Sequence, residues 1–165
     1  MTPYLLLVGT IEEIDYLPEG MSRIPGCMIL YTLRTEDQGT VHVLLPAGAY
    51  VLNLRPLEIG DRATFFAPAN APMPLIYPPR YQAAAAAYTP NGVTAVLDVF
   101  DQELTNSEGT LTLTPDRNTL ITLPNGQPFA GALEGRLMMI LYTASTRSIP
   151  ARTTPEQIIV FCVRT

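Results

Sequence analysis

The chain contains no lysine. Its ten positive charges are all arginines, set against 15 acidic residues, and the net charge is −5. Affinity for phosphate backbones comes from neutralising phosphates with cations, so an acidic, lysine-free chain is poorly suited to non-specific nucleic-acid binding. There is one histidine, His42, and there are two distant cysteines, Cys27 and Cys162. That set cannot build a zinc site of ordinary ligand spacing. With no Cys-x-x-Cys pair, the cysteines read as reduced, buried thiols of a cytoplasmic protein. A single disulfide between them stays open. No glycine-rich phosphate loop, nucleophile elbow or Walker sequence is present. The apolar run Tyr4–Val8 has no basic region and is too short for a signal peptide or a membrane span. These gaps predict a soluble, non-enzymatic chain with neither cofactor nor metal.

What is present points to β structure. The chain of 165 residues is 47% hydrophobic and only 15% charged, so a real core is expected rather than disorder. Sixteen prolines and 11 glycines interrupt it throughout, which leaves little room for long helices. Short apolar or alternating runs at Tyr4–Ile14, Cys27–Leu33, Thr40–Leu45, Arg62–Phe66, Val93–Phe100, Thr110–Thr114, Thr119–Leu123, Leu137–Tyr142 and Ile158–Val163 read as strands. Thr35-Glu36-Asp37-Gln38-Gly39 reads as a hairpin loop. The alanines of Ala83–Ala87 have high helix propensity, but so short a run between prolines is assigned as a strand.

Two proline-rich crossings stand out. Ala67–Gln82 lies between Ala63–Phe66 and Ala83–Tyr88, and Ser145–Gln157 lies between Leu137–Tyr142 and Ile158–Val163. Four ordered matches relate the halves. Leu45-Pro46-Ala47-Gly48 answers to Leu123-Pro124-Asn125-Gly126, and Leu57–Arg62 to Leu133–Arg136. Tyr77-Pro78-Pro79-Arg80 answers to Ile149-Pro150-Ala151-Arg152, and Gln82 to Gln157. A repeat of about 75 residues follows. The expected fold is all-β, with two tandem, related small antiparallel barrels, OB-like, from an internal duplication. Residues 1–88 and 91–165 form the two repeats, joined at Thr89-Pro90-Asn91-Gly92.

The segments Ser145-Thr-Arg-Ser-Ile-Pro-Ala-Arg-Thr-Thr-Pro155 and Pro74-Leu-Ile-Tyr-Pro-Pro-Arg-Tyr81 resemble segments of uncharacterised bacterial all-β proteins. The resemblance implies the fold class and no activity.

Arg80 with Tyr77 and Tyr81, and Arg147 with Arg152, are the candidate binding residues. Arginine in an irregular segment often donates to carbonyls the chain leaves unpaired; beside tyrosine it also suits a binding face. His42 reads as an ordinary strand residue, although pairing of its strand with that of Cys27 would allow a Cys–His couple. The carboxylates Glu12, Glu13 and Asp15, and again Asp98, Asp101 and Glu103, read as solvated faces rather than a hard-cation site. The function expected is protein binding or self-assembly into a homo-oligomer through apolar proline-rich segments. The alternative is single-stranded nucleic-acid binding, with tyrosines and phenylalanines as stacking platforms and the arginines as its positive groove.

Overall fold

A computed structural model describes residues 2–163. The protein is all-β, and among the described residues the only helical element is a single 3-10 turn at Leu52–Leu54. The strands are β1 (Tyr4–Asp15), β2 (Met28–Thr35), β3 (Thr40–Pro46), β4 (Tyr50–Val51), β5 (Arg62–Pro68), β6 (Arg80–Gln82) and β7 (Ala85–Tyr88). They continue as β8 (Thr94–Val99), β9 (Leu111–Leu113), β10 (Leu120–Thr122), β11 (Leu137–Tyr142), β12 (Ala151–Thr153) and β13 (Gln157–Phe161). The chain divides into two compact units, one spanning Tyr4–Asn91 and the other taking in the chain from Gly92 onward. No helix among the described residues is long and apolar enough to cross a membrane.

The first unit holds one sheet of order β4-β7-β5-β1-β2-β3-β6. Its core follows from period-two alternation: Val41, Val43 and Leu45 of β3 and Tyr31 and Leu33 of β2 point inward with Leu7, Ile11 and Phe65. The Tyr31 and Phe65 rings lie 5.2 Å apart. The β2–β3 hairpin closes where Thr35 N–H donates to Gly39 O at 2.9 Å, with Gly39 in the left-handed region at φ 80°. A bulge between Ile11 and Glu13 lets the long β1 serve two partners, β5 with its first half and β2 with its second.

The expected closed barrels are not present. β4 and β6 are free edges of an open sheet. The strand after the first crossing changes partner part-way along. β6 runs parallel to β3, with His42 opposite Arg80, and β7 runs antiparallel to β5, with Phe65 opposite Ala86. The switch is made by Ala83, whose N–H donates to Leu44 O at 2.8 Å, and Ala84, whose N–H donates to Phe66 O at 2.7 Å. Small side chains are required there, because Ala83, Ala85, Ala86 and Ala87 are all buried.

The second unit has a sheet of order β10-β13-β11-β8 and a separate pair, β12-β9. Phe100, Leu111, Leu113, Met138, Ile140, Ile158 and Val160 form its core. β10 is parallel to β13 and β12 is parallel to β9. Asp98, expected on a solvated face, is instead buried, which removes it from the predicted cluster with Asp101 and Glu103. Its carboxylate accepts from the Ser107 N–H at 3.2 Å and the Ser107 hydroxyl at 2.8 Å, bonds that replace the water it loses.

Candidate functional site

In the first unit a groove of about 560 Å³ opens beside the proline-rich crossing. Its walls are Pro46, Gly48 and Ala49 after β3, Ala67 and Pro68 at the end of β5, Ala71–Met73 of the crossing, and Arg80–Ala84. Most of these side chains are small or apolar, and Arg80 is the sole charged residue among them. The groove exists because β5 and β6 do not pair, and the chain leaving β6 reaches β5 only at Ala84, whose N–H donates to Phe66 O. Beyond that bond, β6 follows β3 while β5 leads into the crossing. Pro68 has no N–H with which to extend the ladder.

Arg80 and Tyr81 therefore meet in one site. Tyr81 packs against the core and donates its hydroxyl to Gln38 Oε1 at 3.3 Å. Arg80 is half-buried, and its guanidinium makes no hydrogen bond or ion pair with another described residue. The carbonyl-satisfying role expected of the crossing arginines is thus absent at Arg80. Nor do the Arg147 and Arg152 guanidinium groups donate to any described residue.

Tyr77 does not line the groove. It stands 87% exposed on the crossing with Leu75, which is fully exposed, and Ile76. Arg147 and Arg152 belong to the second unit. Arg152 sits in β12 opposite Thr112, where its main chain exchanges bonds with Thr146. Ile149, at the tip of that crossing, is 92% exposed. The peptide bonds Tyr77–Pro78 and Ile149–Pro150 are both cis.

The remaining chemical candidates do not assemble. Both cysteines are free and exposed rather than buried, because each lies just outside a strand end. Cys27 O accepts from Ala47 N–H, five residues along β3 from His42, which places the two about 16 Å apart. No Cys–His couple forms. Glu12, Glu13 and Asp15 are exposed on β1, and Glu12 faces Arg34 at 3.7 Å. No group of three or more metal-ligating side chains is found among the described residues. Arg55 and Asp61 form an ion pair at 2.8 Å. Hydrogen bonding from Arg55, aided by the Glu58 N–H, holds the Asp61 carboxyl below the usual aspartate range. Burial raises the Tyr31, Tyr50 and Tyr142 hydroxyls.

No protein-family model matches the chain, and no curated protein or solved structure matches it.

Proposed function

We propose that this chain is a non-enzymatic cytoplasmic module that binds protein partners, its own copies included, through its two proline-rich crossings. One observation carries the reading: each unit offers solvent a large apolar side chain at the tip of its crossing, Tyr77 with Leu75 in one and Ile149 in the other. A single exposed apolar residue is ordinary, but Met73, Leu75, Ile76 and Tyr77 are all exposed on one short segment, and clustered apolar exposure marks interaction surfaces.

The scaffold in this reading is an OB-like unit used twice. β3 parallel to β6, β7 against β5 and β5 against β1 support a partly open five-stranded circuit. The second unit has matching pairings: β9 with β12, β13 with β11, and β11 with β8. The parallel pair β4–β7 likewise answers to β10–β13. Ile11 exchanges main-chain bonds with Gly60 and Asp61, as Phe100 does with Gly135 and Arg136. In this register Arg80 answers to Arg152, and Gln157 answers to Ala85 rather than to Gln82. Leu45–Gly48 and Leu123–Gly126 fall in different loops. The resemblance to uncharacterised bacterial all-β proteins belongs to the same proposal.

Photo-crosslinking tests the reading. A benzophenone amino acid is placed at Tyr77 or Ile149, with exposed Glu13 as control, in cells that make the protein naturally. Defined protein adducts at Tyr77 and Ile149, absent at Glu13, are expected. A monomer by light scattering at high micromolar concentration, together with no adduct at either tip, would overturn it.

A further inference from the structure

We infer that the groove beside β6 receives an extended peptide whose carboxylate pairs with Arg80 and whose large apolar side chain fills the alanine-lined floor. This rests on the protein-binding reading above and names the chemistry of the partner.

Three features converge. The first is the free edge. In the parallel β3–β6 ladder, His42 N–H donates to Pro79 O and Ala83 N–H to Leu44 O. Tyr81 therefore turns its main-chain groups toward β3, and those of Arg80 and Gln82 face away. β6 is an edge of the sheet, so these groups are ready to pair with an added strand. The second is volume. Gly48, Ala49, Ala67, Ala71, Ala83 and Ala84 leave room that no side chain of this unit occupies. A ligand must bring the bulk itself, as leucine, isoleucine or phenylalanine. The third is charge. Arg80 is the one charged residue in the lining, no carboxylate stands beside it there, and it makes no ion pair. A guanidinium with five donors is complementary to a carboxylate, which it can take in bidentate fashion. The acidic partner is thus specified by a lone cation in a chain of net charge −5.

Phosphate backbones fit the site less well. One cation cannot track successive phosphates, and the lining holds one aromatic ring, Tyr81, where successive bases need several to stack on.

The experiment uses the full chain on an array of random-sequence octapeptides with one fixed position, aspartate in one half of the array and asparagine in the other. Peptides with a large apolar residue near the aspartate are expected to be retained about tenfold better than their asparagine counterparts, the worth of a charged hydrogen bond. Arg80→Gln is expected to erase that preference. Ala71→Trp, on the exposed crossing, is expected to fill the groove and abolish retention without lowering Tm. A retained set indifferent to both substitutions overturns the inference. So does an array that retains nothing; if crosslinks at Tyr77 then persist, the broader protein-binding reading stands without it.

Discussion

Gly9 and Arg34 meet so closely across the β1–β2 ladder that a Cβ on Gly9 would lie 2.7 Å from the Arg34 carbonyl carbon. The same Cβ would be 2.8 Å from the Cα of Thr35, the register partner of Gly9. Both obstacles are backbone, so neither can rotate away. The glycine is needed for close approach at the point where β1 passes from one partner strand to the other.

Gly9→Ala is therefore expected to destabilise the first unit by about 1–3 kcal/mol, the range of overpacking. Gly48→Ala is the control: nothing lies within 4 Å of its Cβ position. It should stay within about 0.5 kcal/mol of the parent. Urea unfolding of both variants checks this. Equal midpoints would show that the β1–β2 crossing is looser than described.

Arg55 stacks over the Tyr88 ring at 3.6 Å and holds the Asp61 carboxylate at 2.8 Å. The Asp61 pKa is lowered in the folded state, chiefly by that hydrogen bond. Its contribution to stability is then fully present above the unfolded aspartate value of about 3.9 and is lost as pH falls through the lower folded value. Asp61→Asn should lower Tm by a few degrees at neutral pH, in keeping with a partly exposed ion pair. The gap from the parent should close as the solution is acidified past the folded pKa. A gap independent of pH would assign the effect to the Glu58 turn rather than to the charge.

Sequence reading succeeds where alternation is strict. Val41, Val43 and Leu45 alternate inward along β3, and the Thr35–Gly39 hairpin follows from its loop residues. Leu137–Tyr142 matches β11 end for end because an apolar run between turns has little freedom. The partner switch at Ala83–Ala84 is invisible in the same way that the groove is. Alanine fits helix, strand or surface, and only its neighbours decide. Leu45–Gly48 and Leu123–Gly126, alike as turns, close β3 and follow β10, strands with different pairings. Arg80, Tyr77 and Tyr81 were visible as types in a proline-rich context. That Arg80 and Tyr81 share a groove while Tyr77 stands outside it depends on where the chain passes from β3 to β5, at Ala83–Ala84.

The alanine strand makes its own prediction. Ala86 is fully buried, pairs with Phe65 and sits in the core of the first unit. Ala86→Leu should cost about 1–3 kcal/mol, because extra methylenes in a close-packed site force neighbours off their rotamers. The exposed edge residue Gln82 gives the contrast, since Gln82→Thr should change stability by less than about 0.5 kcal/mol. Chemical denaturation monitored by circular dichroism separates the two. A neutral Ala86→Leu would mean that the alanines are not packed between strands.

Single-stranded nucleic acid provides the sharpest contrast with protein binding. Arg80 lies in one unit and Arg147 and Arg152 in the other. The groove itself presents one cation within a chain of net charge −5. Electrostatic affinity for a strand grows with the number of phosphates neutralised, and it is greatest at low salt. A labelled mixed-sequence DNA strand titrated with the protein at low salt should therefore show no rise in fluorescence anisotropy. Binding that appears at low salt and weakens steeply as salt is added would reverse the ranking of the two readings. Arg80→Gln and Arg152→Gln would then be expected to flatten the salt dependence, each by about one phosphate contact.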